Sequence, residues 1–427
     1  MCIRDRIESQ AVMAPEAFEI KRQEYEKKVQ NYNTSRQEKL RSIDNLLGSS
    51  RNKVLDALKP ILENISNEKG ITVMLEKSTV LLSAESMDIT QEVLKALNKE
   101  LPSIQISQDW LMKPSFFKNL GPHDLLTIKS KINGTTDNNK NVEFTALVGL
   151  PSLKNNTISF LYDNQELKNY EIDDAINYAI ICSEQSSKKI KKNIQKIIVK
   201  DVHLAVSILS NLFYRDYSQE EINTLPKPVI GKNSIIQDKV TIENGSIIGS
   251  NVKICDGAVI KSGCMIGNNS FIDSNSVISN SIIGEEVTIG RNCSIGQPGF
   301  GFSIQKSNNE NIYHMGRVII QSRVRIGSNC TLDRGSFGDT VIGENTYLDN
   351  LCHIAHNVSI GNNCVFTGMN GIAGSTTVGN GVLSGGQVGI AGHLKIASGV
   401  TLSARSGVTK DINNAELMGG FPALQIK

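Results

Sequence analysis

Residues 342–378 read IGENTYLDNLCHIAHNVSIGNNCVFTGMNGIAGSTTV, and an apolar residue returns there at every sixth place: Ile342, Leu348, Ile354, Ile360, Phe366, Ile372, Val378. Downstream the ladder continues through Ser384, Ile390, Ile396, Leu402 and Val408, of which Ser384 alone is polar. Upstream it runs Ile230, Ile236, Ile242, Ile248, Ile254, Ile260, Ile266, Ile272 and Ile278. It then slips by one residue to Ile283, Ile289 and Ile295, and resumes after an insertion at Ile320, Ile326 and Leu332. A helix needs a period of about 3.6 and a half-buried strand a period of about 2. A period of six is the hexapeptide signature of a parallel β-helix. Each hexad supplies one short strand and one turn, its ladder side chain enters a narrow core, and three hexads close a coil. Coils stack at the strand spacing of roughly 4.8 Å, so residues about 18 apart share a face one coil apart.

At 427 residues the chain is too long for one ordinary domain. A formal net charge of +2 gives no argument for a nucleic-acid partner. No apolar run is long enough for a membrane span, and the first residues do not read as a signal peptide. The eight cysteines are scattered without a CxxC pair. Cys264, Cys293, Cys330, Cys352 and Cys364 each fall four places after a ladder residue, a slot for small core-facing side chains. They read as small hydrophobes rather than disulfides or ligands, which fits a reducing compartment.

Ahead of the ladder lie two further segments. Residues 16–66 read as a long polar helix with Leu40, Ile43, Leu47, Val54, Leu58, Ile61 and Ile65 on one stripe. Strands are expected at Ile71–Leu75 and Thr79–Ser83. A helix follows from an Asp88 cap, with Gln91 three places on, to Leu101 before Pro102. From the residues alone this is a helical oligomerisation arm. The second segment, 112–225, mixes strands at Glu143–Val148, Thr157–Tyr162, Tyr178–Cys182 and Lys196–Val199 with a helix near His203–Phe213, and reads as a small α/β domain. The β-helix domain then spans 226–409, with a tail over 410–427.

Six histidines are present. His123 and His203 read as structural, and His314 lies in the insertion between Ile295 and Ile320. His353, His356 and His393 fall on the ladder. His356 and His393 are 37 residues apart, which puts them two coils apart on nearly the same face. Glycine is dense around them, and Gly374 follows His356 by 18 residues, one coil away. Its N–H could reach a carbonyl oxygen under attack beside the imidazole. A base together with an oxyanion donor suits acyl transfer. Histidine fits the first task because its ordinary pKa is ~6.5.

Two resemblances follow from wording rather than period. Residues 71–104, ITVMLEKSTVLLSAESMDITQEVLKALNKELPSI, resemble the C-terminal part of the OmpH-like (Skp) periplasmic chaperones, trimers whose helical arms hold unfolded outer-membrane proteins. That likeness covers about residues 16–107 and assigns 1–110 to a chaperone-like fragment, while MCIRDR at the start matches no part of it and reads as non-native. Residues 332–374, the insertion GQPGFGF with GRVII, and GIAGHLKI at 389–396 resemble the UDP-3-O-acylglucosamine N-acyltransferases over about Met112 to Pro422.

The second resemblance implies a left-handed β-helix homotrimer with sites between subunits. It implies transfer of an (R)-3-hydroxyacyl chain from acyl carrier protein to the 2-amine of a UDP-sugar, in lipid A synthesis. No cofactor is implied beyond the carrier's phosphopantetheine, and no metal. Carried over by motif, His356 is the general base, Gly374 the oxyanion donor, and His393 a second histidine near the pantetheine and carbonyl. Asp349 and Asn350 match a polar pair that handles substrate, with turn capping as their ordinary role. In ISFLYDNQEL, Phe160 fits a uracil-stacking position. Asp163 stands where an asparagine is expected, unless a one-residue insertion lets Asn164 serve. The ending GGFPALQIK reads as short of a helix that contacts the carrier protein.

Three rival readings have distinct signatures. A zinc enzyme would need a third ligand beside His356 and His393, and the usual offset falls on Ser398. Another hexapeptide acyl- or acetyltransferase would lack the small α/β domain. A chaperone-like scaffold would work without His356. The two resemblances also conflict in compartment, because the acyltransferase substrates are cytoplasmic and the chaperone family is periplasmic. At the junction QISQDWLMKPSFF, Trp110 reads as a misread stop codon between neighbouring genes, with Met112 as a start. Mass spectrometry of the native product tests this, and a single polypeptide across residue 110 overturns it.

Overall fold

The computed structural model describes residues 62, 64–69 and 116–425, apart from 137–141, 166–176, 192 and 306–307. The chain forms two compact units, Met1–Lys113 and Pro114–Lys427. In the first, the described residues are helical, and Ile65 of the expected stripe is buried. The rest of that helix, the strands Ile71–Leu75 and Thr79–Ser83, and the helix to Leu101 lie outside the described residues.

In the second unit the ladder residue is the last residue of each short strand, as in Lys253–Ile254, Val259–Ile260 and Met265–Ile266. From Ile248 onward it is buried and the residue before it faces outward, while Ile230, Ile236 and Ile242 on the first rungs are not fully covered. Strands pair in parallel with partners 18 residues on, Ile254 with Ile272 and Ile260 with Ile278. At the slip Ile266 pairs with Ile283, so that coil is one residue shorter. Three sheets result. One contains Val229–Ile230 through Lys395–Ile396, a second Ile235–Ile236 through Leu424–Gln425, and the third Thr241–Ile242 through Gly407–Val408. All seven described cysteines are unpaired and buried, including the five in the fourth-place slot.

The turns share a recurrent backbone geometry. The third residue past the ladder position adopts left-handed φ, often as asparagine (Asn251, Asn269, Asn345, Asn363), the side chain that tolerates it best after glycine. The second residue past the ladder position has an N–H left over by the strand pairing. In several corners a side chain one coil on accepts it: Ser250 N–H bonds Asn268 Oδ1 at 2.8 Å, Glu344 bonds Asn362 at 2.9 Å, and Asn362 bonds Asn380 at 2.8 Å.

The α/β domain holds a parallel four-stranded sheet, Ala146–Leu147, Thr157–Leu161, Tyr178–Cys182 and Gln195–Ile198. The helix Val202–Phe213 contacts this sheet and the helix Leu125–Ile132. The long strand expected at Glu143–Val148 is split. Glu143–Phe144 pairs antiparallel with His123–Asp124, while Ala146–Leu147 joins the sheet. The helices Leu125–Ile132, Glu184–Ser187 and Gln219–Thr224 were not expected. They are too short for a clear apolar period, and their signal is the caps Asp124, Ser183 and Ser218.

The insertion joins the two parts of this unit. Its strand Ser294–Pro298 bulges at Gly296, whose φ is +82°. A hairpin of Phe302–Ser303 and Glu310–Asn311 follows. The helix Val202–Phe213 holds it: Ser207 Oγ donates to Asn311 O at 2.8 Å, and Ser210 Oγ accepts from Tyr313 N–H at 2.8 Å. Tyr313, Met315 and Phe337 pack against the α/β core.

The one polar ladder residue has a packing reason. Ser384 lies in register with Phe366, the one aromatic rung, so a small side chain accommodates a large one. Its hydroxyl donates to Asn370 Oδ1 at 2.6 Å. Ser384→Ile is expected to overpack the core at a cost of about 1–3 kcal/mol, against about 1 kcal/mol for Ser384→Ala. Chemical denaturation measures both, and a stabilised Ser384→Ile would overturn the volume argument.

Candidate active site

His356 occupies the second position of the turn after His353–Ile354, and Gly374 holds the same position one coil on. A Cβ placed on Gly374 would come within 2.8 Å of His356 Nε2 and Cε1, so only glycine lets the imidazole lie against this backbone. At Ser250, Glu344 and Asn362 this position's N–H meets a side chain from the next coil. Here the next coil offers Gly392, and among the described residues the Gly374 N–H has no acceptor. An unspent donor therefore sits beside an imidazole.

The network assigns the tautomer. Asn357 Oδ1 accepts from Ser336 N–H at 3.0 Å and from Ser336 Oγ at 2.8 Å, which fixes that atom as oxygen. His356 Nδ1 lies 3.1 Å from the same oxygen and must be the protonated nitrogen. The lone pair is then on Nε2, the atom next to Gly374.

A second imidazole packs against the first. His314 is 1% exposed, and its ring meets that of His356 edge to face with centroids 5.4 Å apart. Gly299 N–H donates to His314 Nδ1 at 3.1 Å, and Arg334 Nε donates to His314 O at 2.9 Å. Burial pushes the His314 imidazole down to about 4, with the neighbouring His356 adding in the same direction. The Arg334 guanidinium, itself buried, lies 5.7 Å over the Tyr313 ring. Below His356 on the same face, His353 Nδ1 is 2.7 Å from Thr331 Oγ1, and its Nε2 is 3.9 Å from Asp333 Oδ2. Burial raises the Asp333 carboxyl, opposed by a hydrogen bond from Gln297 Nε2 at 2.8 Å.

From His353 a column of outward positions runs through Gly371, Gly389 and Gly407, one per coil. Added Cβ atoms at Gly371 or Gly389 would meet nothing within 4 Å. These glycines are not demanded by packing; they leave an open trough. The trough is a cavity of about 760 Å³ whose walls include His353, His356, Gly374, Phe300 and Arg405. At its far end Phe421 lies against Gly407.

The structure brings His356 and Gly374 together. His393 lies two coils from His356 but one register over, in line with Asn357 and Ser375. It is exposed, its N–H bonds Gly374 O at 3.0 Å, and it does not line the trough. Asp349 and Asn350 sit in the preceding corner beside a separate cavity of about 400 Å³ that shares Gln387 and Arg405 with the trough. Asn350 Oδ1 caps Ser328 N–H at 2.8 Å, and its Nδ2 donates to Asp349 Oδ1 at 2.8 Å. Phe160 is 7% exposed in the α/β core, 4.6 Å from Phe337 and 5.1 Å from Tyr162 by ring centroids. Asn164 is exposed in a turn, while Asp163 accepts hydrogen bonds from Ser183 and Ser186 that hold its carboxyl below the usual range.

Sequence reasoning missed Asn357, His314, His353 and Asp333. For His314 a signal was present: Gly299 and Gly301 in the insertion have no room for a Cβ beside it. Among the described residues no three His, Cys, Asp or Glu are grouped to hold a metal, and no helix is long and apolar enough to cross a membrane.

The class defined by fold and repeats is the left-handed parallel β-helix of hexapeptide repeats, with an OmpH-like segment ahead of it. Residues 263–297 and 339–374 match the family model for bacterial transferase hexapeptide (six repeats), and residues 3–97 match that for outer membrane protein (OmpH-like). The chain is similar to the UDP-3-O-acylglucosamine N-acyltransferase of Hydrogenovibrio crunogenus, 42% identical over 81 residues, covering 19% of this chain and 23% of that one. It is similar to the Caulobacter vibrioides protein of the same name, 43% identical over 80 residues, 19% of this chain and 24% of that one. These matches span about a quarter of the curated relatives' length. Among solved structures, the UDP-N-acetylglucosamine acyltransferase from Campylobacter jejuni is similar at 25% identity and TM-score 0.41, covering 45% of this chain and 73% of that one.

The buried His314 makes a pH prediction. Its proton affinity is lower folded than unfolded, so the unfolded chain binds the proton first as pH falls. The stability gained by keeping it neutral is complete above about pH 6.5 and is lost as pH falls toward 4. That displacement corresponds to about 3 kcal/mol in full. His314→Gln should therefore lose about 2 kcal/mol less than wild type between pH 7 and pH 5. Equal losses in denaturant titrations would show that His314 is not buried neutral.

Proposed function

We propose that this chain transfers an (R)-3-hydroxyacyl group from acyl carrier protein to the 2-amine of UDP-3-O-acylglucosamine, a step of lipid A biosynthesis. One observation carries the reading: the His356 Nε2 lone pair lies beside the unbonded N–H of Gly374, at the head of an open trough. The names of the relatives support it, and the second repeat match at 339–374 contains both residues.

The amine attacks the thioester carbonyl while His356 Nε2 takes its proton. The new oxyanion is received by the Gly374 N–H. Collapse forms the amide and breaks the C–S bond, and the imidazolium returns its proton to the leaving thiolate. The trough holds the extended donor, so much of the rate comes from keeping two substrates in one groove. His393 takes the second histidine's part toward the pantetheine from outside the trough. Asp349 and Asn350 receive the UDP-sugar, with Phe160 and Asn164 serving the uracil. The active form is a homotrimer with sites between subunits, and this part of the chain works in the cytoplasm. Residues 1–110 keep their likeness to a periplasmic chaperone family and take no part in the step.

The test is acyl transfer by the full chain from (R)-3-hydroxyacyl carrier protein to UDP-3-O-acylglucosamine. His356→Ala should lose on the order of 10²-fold or more in turnover, the usual worth of a positioned base. A loss below about threefold would remove His356 from the role. Gly389→Leu fills the trough without disturbing its own rung. It should raise the KM for a long-chain donor at least about tenfold and spare a four-carbon donor. An unchanged KM would mean that the chain lies elsewhere.

A further inference from the structure

We infer that His314 is a positioning residue for His356, a neutral wall that holds the base in its working orientation. The inference rests on the reading of His356 as the base and assigns a task to a group that the proposed chemistry leaves unused.

Three contacts define the His356 ring. Asn357 Oδ1 takes the Nδ1 proton, the Gly374 backbone lies under Nε2 and Cε1, and the remaining side is closed by Gly299 and His314. Removing His314 opens that side and lets the ring rotate away from Asn357. A half-turn about the Cβ–Cγ bond would exchange Nδ1 with Cδ2 and Nε2 with Cε1, which breaks the contact with Asn357 Oδ1 and redirects the Nε2 lone pair. His314 cannot easily yield, because its main chain and its ring are both anchored. Arg334 Nε–H holds its carbonyl, Gly299 N–H holds Nδ1, and Tyr313 before it is tied to Ser210 and by its hydroxyl to Asp216 at 2.6 Å.

The residue type matters as much as the shape. The base gains positive charge when it takes the amine proton. A lysine or arginine packed there would repel that charge, and a carboxylate would attract it and retain the proton. A buried uncharged imidazole does neither, yet it fills the space and accepts the Gly299 N–H. Its Nε2 has no partner among the described residues, so the ring is held by Nδ1 and by packing, not by a second hydrogen bond. A glutamine at 314 could supply the same acceptor at similar volume, whereas an alanine could not.

The experiment compares wild type, His314→Ala, His314→Gln and His356→Ala as full chains. Steady-state acyl transfer, thermal unfolding and ¹⁵N chemical shifts of the His356 ring nitrogens are measured. His314→Ala should lower kcat about tenfold with both KM values within about twofold, the expected cost of a slightly misplaced group. Its ¹⁵N signals should move from a single Nδ1–H tautomer toward a mixture. His314→Gln should keep kcat within about threefold of wild type and retain the single tautomer. A folded His314→Ala with wild-type kcat and an unchanged His356 tautomer would overturn the inference. So would equal losses in the alanine and glutamine variants with the tautomer intact. If His356→Ala retains turnover while the tautomer in His314→Ala still shifts, the positioning contact stands and the assignment of the base fails instead.

Discussion

Everything in the second unit depends on one constraint, the parallel register that sets each rung against the rung one coil away. Main-chain hydrogen bonds fix that register, and the ladder side chains enforce it from inside, because a one-residue slip would turn an isoleucine outward. The five-residue step from Ile278 to Ile283 shows the tolerance: the shortfall is absorbed in the turn at Asn280, and the pairing of Ile266 with Ile283 survives. Once register is rigid, every turn position becomes an address. His356, Gly374 and Gly392 share one address, and Asn357, Ser375 and His393 share the next.

The site uses this rigidity by leaving a main-chain donor uncapped beside an imidazole. Several other corners spend the second-position N–H on a side chain from the neighbouring coil, and such capping stabilises the stack. At 356, 374 and 392 that side chain is absent or is an imidazole. The stabilisation forgone there leaves a free donor beside a ring nitrogen, as is usual where local consistency gives way to chemistry. The trough is built in the same way. Gly371 and Gly389 could carry side chains without clash, so their absence serves the open space.

The fold was legible because a period of six over some thirty rungs leaves one architecture, and the five-residue slip and the insertion were visible as breaks in it. The α/β strands Thr157–Leu161 and Tyr178–Cys182 were legible too, as continuous apolar runs bounded by polar residues. Helices of one or two turns were not, since Leu125–Ile132 is set by its Asp124 cap and its burial against Val202–Phe213 more than by any period. At the site, spacing alone paired His356 with Gly374, because both stand on the same ladder. It could not place His314, whose path leaves the ladder through a hairpin that docks on another domain. It also set His393 one residue off His356, three past Ile390 against two past Ile354, and in the structure that residue puts His393 in line with Asn357 rather than with His356. Phe160 shows the other limit. Motif wording assigns it an exposed ring face, but packing against Phe337 and Tyr162 buries it.

The insertion is therefore more than a loop tolerated between rungs. Its Asn311 carbonyl accepts hydrogen bonds from Ser207 and Asn211 on an α/β helix, its Tyr313 N–H donates to Ser210 on the same helix, and His314 next in sequence supplies the wall behind the base. A loop bound only to the β-helix could have placed His314 equally well. Binding it at both ends means that the α/β domain cannot shift against the coil without drawing Tyr313, and with it His314, away from His356. The buried Arg334 makes the link stiff: it bonds His314 O and lies over the Tyr313 ring, so neither residue can move without unpairing a cation from its surroundings.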